Sequence, residues 1–412
     1  MPGPGAALIG EEEIREVVSV LRSGYLSRYG PDDDPAFGAT VYRLEQAIAQ
    51  RSGVRHAVAV NSGTSALLCA LAALGIGPGD EVIVPGFTYI ASISAIVYSR
   101  AVPVLAEIDE SLNLDPADVE RRITPRTKAI MAVHMMGNPA RLAELADVAK
   151  RHGLHLIEDC CQAFGATYRG RSVGSYGAAG AISFNVFKTI TCGDGGMMIT
   201  DDQEVYERAF AFHDQGHRPF RKGIEIGERP LLGLNFRMTE LSGAVLLAQL
   251  SRLDDMRARL RANKAVIREA VQDIPGVRFR ALPDPDGDIA TFLTLLMPSP
   301  EIAAAVAADF GSKVVAESGW HVYNHMEHLL TKRTAVPRGC PFDCQCTHDS
   351  VPPYEAGMLP ATDRILSSAV NIAIGVSDPN LGSAYGVNVR SQPDKVRATA
   401  DHIRSVLLRH LG

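Results

Sequence analysis

The sequence predicts an α/β protein with a mainly parallel sheet in a large domain and a smaller α+β domain behind it. Three observations carry this prediction. Short β-branched or apolar runs alternate with helix-length segments over the first half of the chain. The chain has 412 residues, more than the roughly 250–300 that one core usually organises. Beyond Pro275 the rhythm changes to shorter strands. Strand alternating with helix implies right-handed crossovers and a sheet covered on both faces. The expected division is residues 1–250, with N-terminal helices, and residues 251–412.

Taken in order, apolar positions at helical spacing predict helices over Glu11–Ser23 and Thr40–Arg51, with Leu44 and Ile48 four apart in the second. The runs at 56–60, 81–85, 102–108, 128–133, 154–159, 179–184 and 196–200 read as strands. Helical segments at 65–75 and 140–153 separate members of this series. One long amphipathic helix is predicted from Thr239 to Val271. In the second region 291–298 reads as a strand, and 300–309 and 393–411 as helices. A stretch rich in Cys, Pro and His, Arg338 to Pro353, interrupts it.

Composition narrows the function classes. A hydrophobic fraction of 46%, a charged fraction of 21% and a net charge of -6 describe an ordinary globular protein with no electrostatic footprint for nucleic acid. No run of about 18 apolar residues predicts a membrane span. The N-terminal stretch lacks a basic region followed by an apolar core, so no signal peptide is expected. Seven cysteines in no scaffold pattern point to reduced thiols and a cytoplasmic location.

The chemistry gathers around SFNVFKTITCGDGG, Ser183 to Gly196, where Lys188 stands in an otherwise apolar run. A buried ammonium is costly unless it is paired or gives up its charge by bonding. NSGTSAL, Asn61 to Leu67, follows a strand and opens a helix, the setting in which backbone N–H groups close on a phosphate, although a plain Ser/Thr cap gives the same pattern. Asp159 ends the run LHLIED, where parallel sheets hold ligands, and Gln162 lies one helical turn on. A lysine that forms a Schiff base and an acid for a pyridinium nitrogen are the pattern of pyridoxal 5'-phosphate enzymes.

NSGTSAL, GDEVIVPGFTYIAS, AIMAVHMMGNPA, IEDCCQAFGA, ISFNVFKTITCGDGGMMIT and LGLNFRMTELSGAV occur in one order between roughly residues 10 and 260. In this the chain resembles the DegT/DnrJ/StrS family of fold-type I, pyridoxal-phosphate-dependent sugar aminotransferases. The resemblance implies that Lys188 is the Schiff-base lysine and Asp159 the partner of the ring nitrogen. It places Gln162 near the ring hydroxyl, Tyr89 against the ring, and Gly63, Thr64 and Ser183 at the phosphate. Asn235 would reach the phosphate of a neighbouring subunit, which implies a homodimer with shared active sites. In HVYNHMEHLL, His328, or alternatively His325, would enter the partner's substrate pocket, against the plainer reading of an exposed helical histidine.

The implied reaction moves an amino group from glutamate or glutamine to a keto sugar, nucleotide keto sugar or keto cyclitol, in secondary-metabolite or polysaccharide biosynthesis. Alternatives on the same scaffold are a dehydratase, an oxidase or a decarboxylase, or a noncatalytic regulator. The sugar dehydratases that resemble this family carry histidine at the lysine position, so Lys188 argues against them. HDQGHRPFRKG, 213–223, is either a loop for a phosphate or nucleotide on the substrate or a solvated loop. Cys340, Cys344, Cys346 and His348 offer four soft ligands. Their spacing is not that of the common paired-cysteine sites and no second cluster completes them, so no metal is expected.

Overall fold

The computed structural model describes residues 2–31, 33–219, 227–336, 338–346, 351–383 and 385–412. Its helices in the first half are α1 Pro4–Leu8, α2 Glu11–Ser23, α3 Thr40–Ser52, α4 Gly63–Ala73, α5 Ile90–Tyr98, α6 Pro116–Arg121, α7 Leu142–His152 and α8 Gln203–His213. Seven strands, β1 His56–Val60, β2 Glu81–Pro85, β3 Val102–Ala106, β4 Thr127–Val133, β5 His155–Asp159, β6 Ala179–Ser183 and β7 Gly196–Thr200, form one sheet. Their order across it is β1-β7-β6-β5-β4-β2-β3.

The predicted parallel sheet is present with one strand reversed. β7 pairs antiparallel with both β1 and β6, whereas β6, β5, β4, β2 and β3 run parallel. The reason lies in residues 184–195, which form turns instead of a crossover helix and so return the chain beside β6. Side chains alternate between two cores at the strand period: Ala57 and Ala59 enter one, Val58 and Val60 the other. Helices therefore pack on both faces, α3 and α8 against β1, and α7 against β4 and β5.

The helix predicted from Thr239 is two, α9 Glu240–Leu250 and α10 Leu253–Val271. No glycine or proline breaks it. Arg252 at the break instead ion-pairs with Glu12 and Glu13 and donates to the Leu8 carbonyl, contacts that the local sequence does not announce. α9 packs on α2 and α3, whereas α10 packs on the C-terminal helix.

Beyond it, β8 Arg278–Phe279, β9 Phe292–Leu296 and β10 Ala369–Ala373 form a three-stranded antiparallel sheet with helices α11 Pro300–Asp309, α12 Glu327–Leu330, α13 Pro360–Ser367 and α14 Pro393–Leu411. Between α12 and α13, residues 331–359 contain no helix or strand among the described residues. Here the expectation of reduced thiols is overturned for one pair. Cys340 and Cys344 are joined as a disulfide, their Cα atoms brought to 5.1 Å by a tight turn, while Cys69, Cys160, Cys161, Cys192 and Cys346 are free.

Candidate active site

β1, β4, β5 and β6 end on the same edge of the sheet, and the register sets Val133 beside Asp159 and Asp159 beside Ala181. A cavity of about 320 Å³ opens there, at the carboxyl ends of the parallel strands, where such sheets hold ligands. Gly63, Thr64, Tyr89, Asp159, Gln162, Ser183 and Lys188 all line it. They come from four separate segments of the sequence, so the fold and not the local chain brings them together.

Asp159 is buried at the end of β5. Its Oδ2 accepts a hydrogen bond of 2.7 Å from Ser92 Oγ, and Oδ1 accepts one of 3.0 Å from the Cys161 N–H. Ser92 in turn shares a 2.7 Å hydrogen bond with Thr88. Hydrogen bonds to both oxygens fix the direction of the carboxylate. Thr88 and Ser92 lie within the FTYIAS motif, Thr88 just before α5 and Ser92 four residues on in its first turn, a spacing that is the sequence signal for this pair. Burial, and next the charge of Asp159, push the Cys161 thiol well above its usual range, which disfavours the thiolate.

One residue upstream, Glu158 holds the edge rigid. Buried completely, it accepts hydrogen bonds from the backbone N–H groups of Gly174, Tyr176 and Gly177 at 2.7, 2.6 and 2.8 Å. His134 Nδ1 accepts from the Ala140 N–H, which leaves Nε2 to donate to Glu158 at 3.2 Å. This buried His–Glu–Cys160 cluster is accounted for by these bonds.

At the opposite side, Ser62 caps α4 by accepting from the Ser65 N–H at 3.1 Å. The N–H groups of Gly63 and Thr64 have no acceptor within the helix and point the positive end of its dipole outward. A Cβ at Gly63 would lie 2.7 Å from Ser183 Cβ and 2.8 Å from Cys161 Sγ, so only glycine keeps this cradle open. Gln162 Oε1 accepts from the Met136 N–H at 2.9 Å, which leaves its amide NH₂ for a ligand.

Lys188 lies five residues past the end of β6, half-buried in the turns before β7 and not on a strand. Its backbone N–H donates to Asn185 O at 2.9 Å, and its carbonyl accepts from the Gly5 N–H at 3.4 Å. The chain's first residues thus back this loop. A Cβ at Gly3 would strike the Phe187 carbonyl, Gln249 bridges Gly5 and Thr191, and the Pro2 carbonyl accepts from the Ser377 N–H.

The second region supplies the other wall, from the start of β9 and from turns outside its sheet. Thr291, Phe292, Trp320, His321, Asp378 and Asn380 line the cavity, none of them foreseen from the sequence. His321 is held there by backbone pairing: its carbonyl accepts from the Thr88 N–H at 2.9 Å, and Tyr323 N–H donates to Gly86 O at 3.0 Å. Its ring centroid is 5.3 Å from that of Tyr89. Burial pushes its pKa down to about 4, with Asp378 opposing and Lys188 adding to the shift. No spacing in the local sequence marks a pairing between residues so far apart.

Asn235, His325 and His328 do not line this cavity and are exposed. Asn235 pairs with Asp214, and His325 Nε2 bonds the Ala316 carbonyl at 2.8 Å. Of the 213–223 stretch, His213 is buried at the end of α8 against Arg28, at 3.0 Å, and is not a loop contact; residues 220–223 lie outside the described residues, as does His348. The cavity thus combines an amine, an oriented carboxylate, an anion cradle and an aromatic face, which fits a phosphorylated pyridine aldehyde.

Known proteins agree. Residues 7–328 match the DegT/DnrJ/EryC1/StrS aminotransferase family. The chain is 47% identical to GDP-perosamine synthase of Caulobacter vibrioides over 53% of its own length and 58% of that enzyme's. It is 38% identical to L-glutamine:2-deoxy-scyllo-inosose aminotransferase of Streptomyces paromomycinus over 82% of this chain and 79% of that one. The aminotransferase from Psychrobacter cryohalolentis superposes with a TM-score of 0.78 at 28% identity, covering 100% of both chains. Pyridoxal 5'-phosphate is the cofactor of these aminotransferases. The chain belongs to the DegT/DnrJ/EryC1/StrS aminotransferase family.

Proposed function

We propose that this protein is a pyridoxal-phosphate-dependent aminotransferase that moves an amino group from glutamate or glutamine to a keto sugar, nucleotide keto sugar or keto cyclitol. The observation that carries the reading is the convergence of Lys188, Asp159, the Gly63–Thr64–Ser183 cradle and Tyr89 on one cavity. When bound, the cofactor supplies an electron sink for the carbon that loses its proton.

The chain's residues do the rest. Asp159, oriented by Ser92 and the Cys161 N–H, would hold a proton on the ring nitrogen. The Gly63 and Thr64 N–H groups and Ser183 would hold the phosphate. Tyr89, a residue 40% exposed, would present its ring to the pyridine. Lys188 would attach the cofactor and, once released, take a proton from the donor carbon and return it.

The same reading makes the enzyme a cytoplasmic homodimer. No helix is long and apolar enough to cross a membrane among the described residues. The exposure of Asn235, His325 and His328 on their own chain is what residues serving a partner's site would show. The break at Ser251 and Arg252 supports a division into residues 1–250 and 251–412. Borohydride reduction with peptide mapping should find a pyridoxyl adduct at Lys188. The pyridoxamine form should recover its aldehyde-form absorbance with a keto sugar or keto cyclitol. An adduct elsewhere, or no recovery across a panel of such ketones, would overturn the reading.

A further inference from the structure

The turn at residues 339–346 is not absorbed by this function. Gly339 and Asp343 exchange backbone hydrogen bonds of 3.0 and 2.9 Å, which folds the chain back on itself. Phe342 seats the turn against Tyr354, ring centroids 6.0 Å apart, and Tyr354 donates from its hydroxyl to the Pro103 carbonyl at 2.7 Å. The turn brings three sulfurs together. Cys346 Sγ lies 3.3 Å from Cys340 Sγ and 3.1 Å from Cys344 Sγ, although the other two are already joined as a disulfide. A third sulfur against both members of such a pair is crowded when it shares no bond with them. Three thiolates around one tetrahedral zinc, at Zn–S of about 2.3 Å, sit roughly 3.8 Å apart. Small outward shifts of these side chains reach that arrangement.

We infer that, in the reduced chain, Cys340, Cys344 and Cys346 bind one zinc ion or a similarly soft divalent cation. Two equivalents of a low-molecular-weight thiol open the Cys340–Cys344 bond by exchange through a mixed disulfide, ending as their own disulfide and leaving two protein thiols. The metal then displaces a proton from each of the three thiols, and water or another donor fills the fourth position. Linear spacing argues against the common paired-cysteine sites; the Gly339–Asp343 turn is what brings Cys340 to the other two. The remaining cysteines are free, Cys160 and Cys161 side by side among them, in keeping with a chain that works under reducing conditions. Residues 331–359 have no helix or strand among the described residues, and a bound cation would fix a segment of a length that rarely holds one shape unaided.

The test uses the full chain, purified under reducing conditions without chelator. Zinc by mass spectrometry should approach one ion per chain, and X-ray absorption at the zinc edge should show sulfur neighbours at about 2.3 Å. Cobalt added to the chelated chain should give an intense thiolate charge-transfer band. Cys344→Ser and Cys346→Ser should each lower zinc retention at least tenfold, with Cys192→Ser unchanged. Absorption and cobalt spectra on the wild-type chain keep the test alive should a variant fail to fold. Absence of zinc together with failure to take up cobalt overturns the site. So does metal retained equally by the serine variants, or a Cys340–Cys344 disulfide that persists under those reducing conditions.

Discussion

The mouth of the seven-stranded sheet and the 331–359 segment fix their residues by opposite means. At the sheet, strand register sets the backbone and buried carboxylates finish the work: Glu158 accepts three backbone N–H groups, and Asp159 is held by Ser92 and the Cys161 N–H. In the segment, no ladder exists among the described residues, and position depends on the Gly339–Asp343 turn, the Phe342 and Tyr354 rings, the Tyr354 hydroxyl's bond to the Pro103 carbonyl and three adjacent sulfurs. Chemistry that needs reacting atoms placed to a fraction of an ångström therefore belongs at the first region. The second meets it through Leu359, whose N–H donates to the Tyr323 hydroxyl at 2.9 Å.

Four measurements would break or sharpen this contrast. Lys188→Ala should lower kcat/KM by at least about 10⁴-fold, roughly 5 kcal/mol, with an unchanged unfolding curve; activity within tenfold of wild type would deny the sheet mouth its chemistry. Glu158→Ala should cost about 3–4 kcal/mol in urea unfolding, because it strands three buried donors. A loss under 1 kcal/mol would mean that register alone holds the edge.

His321 tests the seam between the two sheets by pH. Its folded pKa, about 4, lies below the ordinary value of 6.5. The unfolded chain therefore binds the extra proton first, and the contribution is full above pH 6.5 and fades as pH falls towards 4. On the order of 3 kcal/mol of stability should disappear across that window, and His321→Gln should remove this part of the slope. Asp378 and Lys188 face the ring, so Asp378→Asn should lower the histidine's pKa further. The smallest effect belongs to the segment. Removing zinc should change global stability by under about 1 kcal/mol while proteolytic cleavage within 331–359 accelerates several-fold, as local opening does.

Much of the first region was legible because its signals are local. β1, β2 and β7 occupy the residues whose apolar patterning predicted them, and seven of the proposed cofactor contacts lie in motifs readable as short strings. What escaped depends on distant partners. The reversal of β7 follows from turns at 184–195, and the break before α10 from Arg252 reaching Glu12 and Glu13. His321 enters the cavity through backbone pairing of residues 321 and 323 with Thr88 and Gly86, and Asp378 and Asn380 enter it on the turn after β10, which leaves no periodic trace. Cys340, Cys344 and Cys346 were visible as residues, but their meeting required the turn.

The packing of Pro2, Gly3 and Gly5 behind Phe187, Lys188 and Ser377 joins the Lys188 loop to the wall that carries Asp378. A side chain introduced at Gly3 would strike the Phe187 carbonyl, one residue before Lys188, so this segment is a remote place from which the spacing across the cavity can be altered.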